Sequence, residues 1–459
     1  MPAPSGIHVR IDKVYTSPFS KITIQGYKSI IDETSVELKN LTIFAGINSS
    51  GKSSMFQPLL LLKQTLDESS DSGEIRINGP HLDFTLMDQF LSKTEDGQSN
   101  SFSIEFEIDG KKRLKVIYNK EGKHFKITQI DYERNVTLCS NMTHDEYYQT
   151  NLHEKRKYKE DFALPYRESD EIDDTDSETQ NQELKAVITR KRCFLDVDFF
   201  SDVYSVRTSN VADRIKEELL GIIHVSALRG NPKRFYRKTF VGSNFSGPFE
   251  PYVSSILKNW IELKDNRIKE VNQGLAKLNL TTKVKSTEID DVTVNIEVNR
   301  YPVSDQINKE DLISIADVGF GISQTLPVII ALLQAQPGQI VYIEQPEIHL
   351  HPKAQFNLAE LLINAANRGV YVIIETHSDS LLFGVQTLIA EEKIAPEKVI
   401  LHWFSRDTFG KTIIRSSNMD TIGGYGDCPE DFSETMLVQR SRYLDAVQKL
   451  KFSQGMAPK

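Results

Sequence analysis

The sequence predicts an α/β fold with a parallel sheet at its centre, an antiparallel β subdomain and a helical insertion. A short apolar run at 41–45 precedes a glycine-rich turn and a helix-spaced segment, which is a strand–loop–helix unit. Helical and apolar strand patterns alternate again from about 322 to 391, as in a parallel sheet covered by helices. Between 101 and 130, apolar and polar side chains alternate between turns, which predicts an antiparallel meander.

The composition is that of a globular protein with a mildly acidic surface. Of the 459 residues 39% are hydrophobic and 26% charged, and the net charge is −9. This composition excludes disordered and fibrous classes, and it means that any contact with DNA must use a local patch. The longest apolar runs fall short of the roughly 18 residues of a membrane-spanning helix. We therefore expect no membrane contact and, because the N-terminus lacks a signal-peptide pattern, a cytoplasmic location.

The strongest functional pattern begins where the first buried strand ends. Residues 46–53 read Gly-Ile-Asn-Ser-Ser-Gly-Lys-Ser, which fits G-x-x-x-x-G-K-[ST] between a strand and a helix. Backbone N–H groups of such a loop surround phosphates, Lys52 reaches the terminal phosphates and Ser53 can hold Mg²⁺. The pattern therefore predicts binding of ATP or GTP. The predicted nucleotide contacts in this segment are Gly46, Asn48, Ser49, Ser50, Gly51, Lys52, Ser53 and Ser54.

A second pattern follows the predicted strand at 340–343. Glu344 ends that strand, and a carboxylate at this point lies near the phosphate loop, where it can enter the Mg²⁺ shell. A further polar strand end occurs at 375–379. Together with the phosphate loop, these strand ends identify Glu344 as the Walker B acid.

Around these motifs the sequence resembles the ABC-type ATPase heads of the SMC, RecF and OLD-like group. It is most similar to bacterial ATPases of that group that read EQPEIHLHP, as residues 344–352 do here. The resemblance covers about 21–95 and 222–425, together with the tail near 423–432. It implies that ATP and Mg²⁺ are the cofactors, that Lys52 and Ser53 bind phosphate and Mg²⁺, and that His377 is the switch histidine at the γ-phosphate.

The resemblance also implies a signature segment at 317–324 and a Q-loop residue. In the signature segment, Gly321, Ser323 and Gln324 would contact the nucleotide of a second subunit. Gln89 would contact nucleotide and metal, so that the implied metal residues are Ser53, Glu344 and Gln89. This arrangement implies a homodimer, or a higher homo-oligomer, with ATP between the subunits.

Two departures from the family pattern affect hydrolysis and dimerisation. The residue after the Walker B acid is usually a glutamate that polarises the attacking water, and here it is Gln345. An amide orients water but does not accept its proton at neutral pH, so we expect slow turnover unless Glu347 or His377 supplies this function. In the signature segment the usual serine position is occupied by Phe320, with Ser323 as a candidate substitute.

The chain is accordingly divided into four parts. We expect an N-terminal ATPase lobe at 1–140 and a helical, partly disordered acidic insertion at 141–220. A C-terminal ATPase lobe would span 221–425, and a tail would follow at 426–459. The resemblance implies an ABC-type ATPase that acts as a sensor, scaffold or motor in bacterial DNA repair or anti-phage defence. Its effector, a nuclease or a toxin, would be a separate protein, because the segment after His377 shows no cluster of metal-binding carboxylates.

Two alternatives to this function stay open at the sequence level. A nearly non-hydrolysing, ATP-bound scaffold is favoured by Gln345. A RecF-like clamp that contacts DNA is favoured by the segment 229–238, where cations and aromatic residues interleave as in single-strand binding, although a solvated loop explains the same pattern. His349 and His351 are interpreted as packing or dimer contacts rather than metal ligands, because residues i and i+2 do not share a helix face.

Overall fold

The computed structural model describes residues 19–71, 73–94, 97–108, 110, 112–132, 136–151, 185–200, 205–207, 211–300 and 311–426. The predicted acidic loop at 168–178 lies outside the described residues, as does the predicted tail from 427 onward. The domain boundaries stay predictions.

The strands of the described residues are numbered in chain order. They are β1 (Phe19–Gln25), β2 (Thr34–Glu37), β3 (Leu41–Gly46), β4 (Lys93–Thr94), β5 (Gly97–Gln98), β6 (Ser101–Ile108), β7 (Lys112–Glu121), β8 (His124–Tyr132), β9 (Val136–Cys139), β10 (Lys185–Lys191), β11 (Phe194–Phe200), β12 (Ser205–Arg207), β13 (Ile223–Val225), β14 (Tyr236–Arg237), β15 (Val284–Asp290), β16 (Thr293–Asn299), β17 (Leu312–Ser314), β18 (Ile340–Glu344), β19 (Tyr371–Thr376), β20 (Val399–Arg406) and β21 (Thr412–Asn418).

The α-helices are numbered in the same way. They are α1 (Lys52–Leu66), α2 (His144–Thr150), α3 (Val211–Gly221), α4 (Val253–Glu262), α5 (Arg267–Lys277), α6 (Phe320–Gln334), α7 (Pro352–Asn367) and α8 (Asp379–Ala390). Within the described part of the chain, no helix is both long and apolar enough to cross a membrane.

The central sheet has the strand order β13-β18-β19-β3-β20-β21. Neighbouring strands from β13 to β20 run parallel, and β21 is antiparallel to β20. The strand that enters the predicted phosphate loop, β3, therefore lies between two strands from the C-terminal part of the chain. The carboxyl ends of β3, β18 and β19 meet at one edge of the sheet, and the predicted α/β fold with a parallel sheet is confirmed.

Each face of the central sheet packs against a hydrophobic core of its own. Ile43, Ile343 and Ile374 belong to the core beneath the C-terminal helices, whereas Phe44 and Tyr342 belong to the core shared with α1 and the antiparallel sheet. Successive side chains of a strand point to opposite faces, so a strand buried on both sides must be apolar throughout. This explains the unbroken apolar runs that identified these strands in the sequence.

The antiparallel subdomain is also confirmed, with the order β2-β1-β6-β7-β8-β9. Every neighbouring pair in it is antiparallel, and Ile22 of β1 lies opposite Val36 of β2 in the buried face. This sheet packs against α1, the helix that follows the phosphate loop, and so supports that loop from one side.

The predicted helical character of 141–220 is wrong for residues 185–200. Besides α2 and α3, the described part of this segment contains β10, β11 and β12, which form an antiparallel sheet. Asp196 lies inside β11, where its charge interrupts the apolar residues of the sequence. In the structure, however, its side chain is buried and only 1% exposed. Lys191 and Lys216 both lie 3.2 Å from its carboxylate, which compensates the buried charge.

A smaller antiparallel sheet, with the order β14-β16-β15 and with β17 beside β16, was not predicted. It lies next to α4 and holds the segment around β14 near the start of α6. Two contacts join these parts, because Arg234 forms an ion pair with Asp317 and the Gln324 amide donates to the Gly230 carbonyl.

Candidate nucleotide-binding site

The phosphate loop requires glycine at two positions. Gly51 has φ of +104°, and a Cβ atom there would lie 2.1 Å from the Thr412 hydroxyl oxygen. A Cβ at Gly46 would lie 2.2 Å from the carbonyl oxygen of Phe404. The loop therefore packs directly against β20 and β21, and Thr412 donates a hydrogen bond of 3.0 Å to the Ser50 carbonyl. This support from Thr412 was not visible in the sequence.

Lys52 lies inside the curve of this loop. Its ammonium group donates to the carbonyl oxygens of Gly46 at 2.9 Å and Ile47 at 2.8 Å. Burial lowers the pKa of Lys52 to about 8, against the opposing effect of the Glu375 charge. An incoming phosphate would replace these carbonyl contacts and stabilise the ammonium charge, as expected for the lysine of a phosphate loop.

The carboxylate that contacts Ser53 belongs to Glu375, a residue to which the sequence analysis assigned no role. The Ser53 hydroxyl donates to Oε2 of Glu375 at 2.7 Å, and Tyr342 donates to Oε1. Glu375 is 3% exposed, and burial together with the charge of Glu344 raises its pKa to about 7. The only sequence signal was its position at the polar end of the predicted strand at 370–374.

Glu344 lies opposite Glu375 in the register of β18 and β19, but other groups hold its carboxylate. His224 Nε2 lies 3.2 Å from Oε1, and the Ala227 backbone N–H donates to Oε2 at 3.1 Å. Burial alone would raise the pKa of Glu344, yet the contact with His224 and the backbone N–H hold it below its ordinary value. Glu344 is thus fixed as an ionised carboxylate beside Glu375 at the predicted metal position.

Glu347 and His377 form a connected pair at the same edge. Oε1 of Glu347 accepts hydrogen bonds of 2.9 Å from the Thr376 hydroxyl and from the His377 backbone N–H. Oε2 of Glu347 is buried and has no hydrogen-bond partner within the described residues. The His377 side chain hydrogen-bonds to the Gly46 backbone, while burial and the charge of Lys52 lower its pKa. The structure therefore brings His377 to the beginning of the phosphate loop.

The comparison with protein families agrees with this geometry. A family profile described as "AAA ATPase domain" matches residues 19–382, which include the phosphate loop and the polar ends of β18 and β19. The chain belongs to this family. No curated protein was found to match the chain in sequence.

Among solved structures, the AAA ATPase chain is similar to SMC head domains at low sequence identity. One is an SMC head bound to the C-winged helix domain of ScpA, at 10% identity and a TM-score of 0.45, covering 88% of this chain and 98% of that one. The SMC head of Thermotoga maritima has 11% identity and a TM-score of 0.36, with 87% and 98% covered. An SMC head with an extended coiled coil, bound to the C-terminal domain of ScpA derived from Pyrococcus furiosus, has 9% identity and a TM-score of 0.41, with 94% and 99% covered. The strand order and the phosphate loop, rather than these remote likenesses, define the fold.

Gln345 follows Glu344 with φ of +45°, in the left-handed region. Its backbone N–H donates to the Glu375 carbonyl at 2.9 Å, and its own carbonyl accepts from Arg229 at 3.2 Å. Arg229 also donates to the Glu344 carbonyl at 2.6 Å. Arg229 therefore holds the backbone at the end of β18, a role that the sequence did not reveal.

The predicted Q-loop residue Gln89 lies in a short 3₁₀ turn. Its amide oxygen accepts from the Thr85 and Leu86 backbone N–H groups, and its amide nitrogen donates to the Thr85 hydroxyl. None of these hydrogen bonds reaches the phosphate loop, so the structure does not join Gln89 to the other predicted site residues. Its assignment to nucleotide and metal stays a prediction.

The signature residues lie at the start of α6, which begins at Phe320, slightly earlier than predicted. Gly321 approaches the His349 carbonyl, and the Ser323 hydroxyl donates to the Phe320 carbonyl at 3.0 Å. The Gln324 side chain is 4% exposed and faces Gly230 rather than the surface. Contact of these residues with a second subunit's nucleotide stays a prediction.

The remaining loop residues differ in exposure. Asn48 and Ser49 are exposed, whereas Ser50 and Ser54 are buried beneath the loop. His349 and His351 are also exposed, and the described residues contain no group of three His, Cys, Asp or Glu side chains that could hold a metal. The interpretation of these histidines as packing or dimer contacts stays a prediction.

Lys28 is a second cation near this edge that the sequence analysis did not select. Its ammonium group donates to the Gln57 side chain at 2.6 Å and lies 5.0 Å from the Phe84 ring centre. Burial lowers the pKa of Lys28, and the charges of Glu344 and Glu375 oppose that shift. Lys28 therefore lies in the electrostatic field of both carboxylates.

Proposed function

We propose that the chain binds ATP with Mg²⁺ and dimerises around the nucleotide, as an ABC-type ATPase of the SMC, RecF and OLD-like group. The observation that carries this proposal is the meeting of three strand ends. The ends of β3, β18 and β19 bring Lys52 and Ser53 together with Glu344, Glu375 and His377 at one edge of the sheet. Such an edge is where open α/β sheets bind their ligands.

The residues at this edge fit a hydrated Mg²⁺ ion. Ser53, Glu344 and Glu375 supply a hydroxyl and two carboxylates, which are the hard oxygen donors that Mg²⁺ prefers. The hydrogen bond from Ser53 to Glu375 shows that the hydroxyl already points at a carboxylate. When bound, Mg²⁺ would neutralise phosphate charge, while Lys52 would hold the terminal phosphates and the backbone N–H groups of the loop would orient them.

Hydrolysis needs a group that positions the attacking water and accepts its proton. The Gln345 amide can position water but does not accept a proton at neutral pH. Glu347 is the stronger candidate for the base, because its Oε2 lacks a hydrogen-bond partner within the described residues and its pKa is raised by burial. Turnover is proposed to be slow, since the carboxylate that the family uses is displaced along the chain.

Phosphate release from ATP tests this proposal. It should be measured for the wild type, for Lys52→Ala as a blank and for Gln345→Glu. The expected result is that the wild type releases more phosphate than the Lys52→Ala blank, and that Gln345→Glu releases more than the wild type. Release equal to the blank in the wild type, with ATP still bound, would replace the enzyme with a nearly non-hydrolysing scaffold, the alternative that Gln345 favours.

Dimerisation is a separate part of the proposal. The N-terminus of α6 follows the exposed Gly319, so the positive end of its helix dipole is available for the nucleotide of a second subunit. Light scattering of the Lys52→Ala and wild-type proteins, each with and without ATP, measures this. A doubled mass only in the wild type with ATP is expected, and an unchanged mass would contradict the ATP-sandwiched dimer.

The biological setting is proposed from the resemblance in sequence alone. It comprises bacterial DNA repair or anti-phage defence in the cytoplasm, with a separate nuclease or toxin as effector and DNA as a candidate partner. The RecF-like clamp that contacts DNA through 229–238 is the second alternative. Phosphate release with and without DNA distinguishes a DNA-stimulated ATPase from one that responds to another trigger.

A further inference from the structure

A cavity of about 570 Å³ lies between the segment 226–239 and the first turns of α6. It is lined by Arg229, Lys233, Arg237 and Glu250, with Ser226 and Ser323 among the uncharged polar residues. Its volume lies within the roughly 300–1,000 Å³ of small-molecule sites in proteins. The phosphate loop does not contribute to this lining, so the cavity is distinct from the phosphate-loop site, although Ser323 of the predicted signature segment belongs to the lining.

The deepest cation of this cavity is incompletely bonded. Arg229 is 8% exposed, and its Nη2 atom is used for the carbonyls of Glu344 and Gln345. Its Nε and Nη1 atoms are buried without a hydrogen-bond partner among the described residues. Buried guanidinium N–H groups are normally paired, because leaving a charged donor unsatisfied costs more than leaving a neutral one. The vacant donors therefore indicate a ligand that accepts hydrogen bonds.

The charge of the lining also favours an anion. Arg229, Lys233 and Arg237 form no ion pair within the described residues, whereas their neighbours Arg234 and Lys238 are paired with Asp317 and Glu288. The acidic residue of the lining, Glu250, accepts hydrogen bonds from the Ser226 backbone and hydroxyl, and burial raises its pKa. Lys233 and Arg237 are thus exposed cations without an ion pair in the described part of the chain, whereas Arg229 lies in the field of three carboxylates, Glu250, Glu344 and Glu347.

We propose that this cavity is a second anion site, in which Arg229, Lys233 and Arg237 bind a phosphate ester. Nε–H and Nη1–H of Arg229 lie on different edges of the guanidinium group, and either can donate a charge-assisted hydrogen bond to a phosphate oxygen. The ester comes either from the backbone of a single nucleic-acid strand or from a free nucleotide. Phe235, which lines the rim and is 56% exposed, offers a face for a base in either case.

Binding of a fluorescein-labelled single-stranded oligonucleotide of thymidines, measured by anisotropy, tests this site in the full-length protein. Lys52→Ala removes the phosphate-loop lysine and should leave the affinity within about twofold. The double variant Lys233→Glu/Arg237→Glu should weaken binding at least tenfold. It should also reduce the salt dependence by about 1.4 logarithmic units per decade of salt, as expected for two single-strand phosphate contacts.

The matched control is Lys269→Glu/Lys393→Glu, which makes the same change of charge at exposed positions on α5 and after α8. It should bind the oligonucleotide as the wild type does. Arg229→Lys, checked for folding by its melting temperature, should weaken binding at least threefold, because a compact ammonium lacks the separated N–H groups with which a guanidinium reaches the Glu344 carbonyl and a phosphate at once. An Arg229→Lys protein that folds and binds as the wild type would overturn the role of the two vacant donors.

Competition distinguishes the two sources of the ester. Adenosine monophosphate, titrated against the labelled strand in the Lys52→Ala protein, displaces it at submillimolar concentration if the cavity takes free nucleotides, and does not if it takes a strand. If the oligonucleotide does not bind, calorimetric titration of the same variants with adenosine monophosphate measures whether the cavity binds a free nucleotide. Absence of binding by both probes, equal losses in the two double variants, or loss in Lys52→Ala alone would each overturn the proposal.

Discussion

The Ser53 hydroxyl of the phosphate loop donates a hydrogen bond of 2.7 Å to Glu375, a residue 322 positions later in the sequence. This contact joins the start of α1 to the end of β19, two elements that parallel pairing of β3 and β19 brings side by side. Because the carboxylate-bearing residues Glu344 and Glu375 lie opposite each other in the sheet, the proposed metal position depends on three strands rather than on one motif.

We predict that Glu375→Gln weakens Mg²⁺-dependent nucleotide binding. The amide keeps the size of the side chain but removes a negative oxygen, so affinity for ATP with Mg²⁺ should fall roughly tenfold or more, in the range typical for altered metal sites. Affinity for ATP without metal should change little. Titration with Mn²⁺, followed by electron paramagnetic resonance, measures the metal directly, and Glu397→Gln at an exposed position serves as control. Equal Mn²⁺ affinity in both variants would contradict the role of Glu375.

Glu347→Gln is predicted to separate hydrolysis from binding. The Gln side chain retains an oxygen that accepts from Thr376 and His377, so the position of His377 and the affinity for ATP should persist. Loss of the free carboxylate oxygen should lower phosphate release roughly 100-fold, the scale of a lost general base. Single-turnover release and ATP affinity should be compared with those of the exposed control Glu391→Gln. A fall in affinity equal to the fall in rate would indicate a structural role instead.

Gly51→Ala is predicted to damage the phosphate loop through a specific clash. A methyl group at φ of +104° would meet the Thr412 hydroxyl at 2.1 Å, so the loop must shift or unfold locally. The strain should cost roughly 1–3 kcal/mol of folding free energy and prevent tight ATP binding. Thr412→Ala in the same chain should recover part of the loss by removing the oxygen, while the strained φ persists. Urea unfolding of both single variants and of the double variant measures this coupling, and strict additivity would contradict the clash.

His402 is predicted to make the fold sensitive to acid. It is completely buried on β20, with its ring nitrogens at Ser416 and at the Glu37 carbonyl, and burial lowers its pKa to about 4. Between the ordinary value of 6.5 and this value, the unfolded chain binds a proton that the folded chain does not. Stability therefore falls as the pH drops through this window, by up to about 3 kcal/mol.

Urea unfolding at pH 7.5 and pH 5.0 measures this dependence. His402→Gln should lose less stability than the wild type between the two pH values, because its side chain does not titrate. The exposed His124→Gln should behave as the wild type does. Equal losses in His402→Gln and the wild type would show that other groups cause the acid sensitivity.

Local sequence patterns were sufficient to predict the site residues that lie at the end of a single strand or the start of a single helix. The phosphate loop with Lys52 and Ser53 was predicted because strand, glycines and helix are contiguous, and Glu344 because it ends an apolar strand. Glu375 was missed, although its strand end was noted, because its importance depends on the register between β18 and β19. Registers between strands distant in sequence are not encoded in any local period.

The same limit applies to Arg229 and to the sheet of β10 and β11. Arg229 was read as part of a basic surface segment, whereas its contacts with Glu344 and Gln345 are tertiary and bury it. In β11, the charged Asp196 interrupts the apolar pattern. Its burial was not visible in the sequence, because its partners Lys191 and Lys216 lie on other elements. A charged residue that is buried with a tertiary partner therefore leads a sequence pattern to the wrong prediction.

The position of β3 between β19 and β20 also has a consequence for synthesis on the ribosome. The strand before the phosphate loop ends at Gly46, whereas its two neighbours begin only at Tyr371 and Val399. At the usual rate of translation, β3 waits roughly 20 to 60 seconds for the first of them. During this interval an apolar strand with two unpaired edges is a binding site for chaperones and a starting point for aggregation. Nascent chains arrested before residue 371 should therefore be protease-sensitive around 41–66, while those that include β20 and β21 should not.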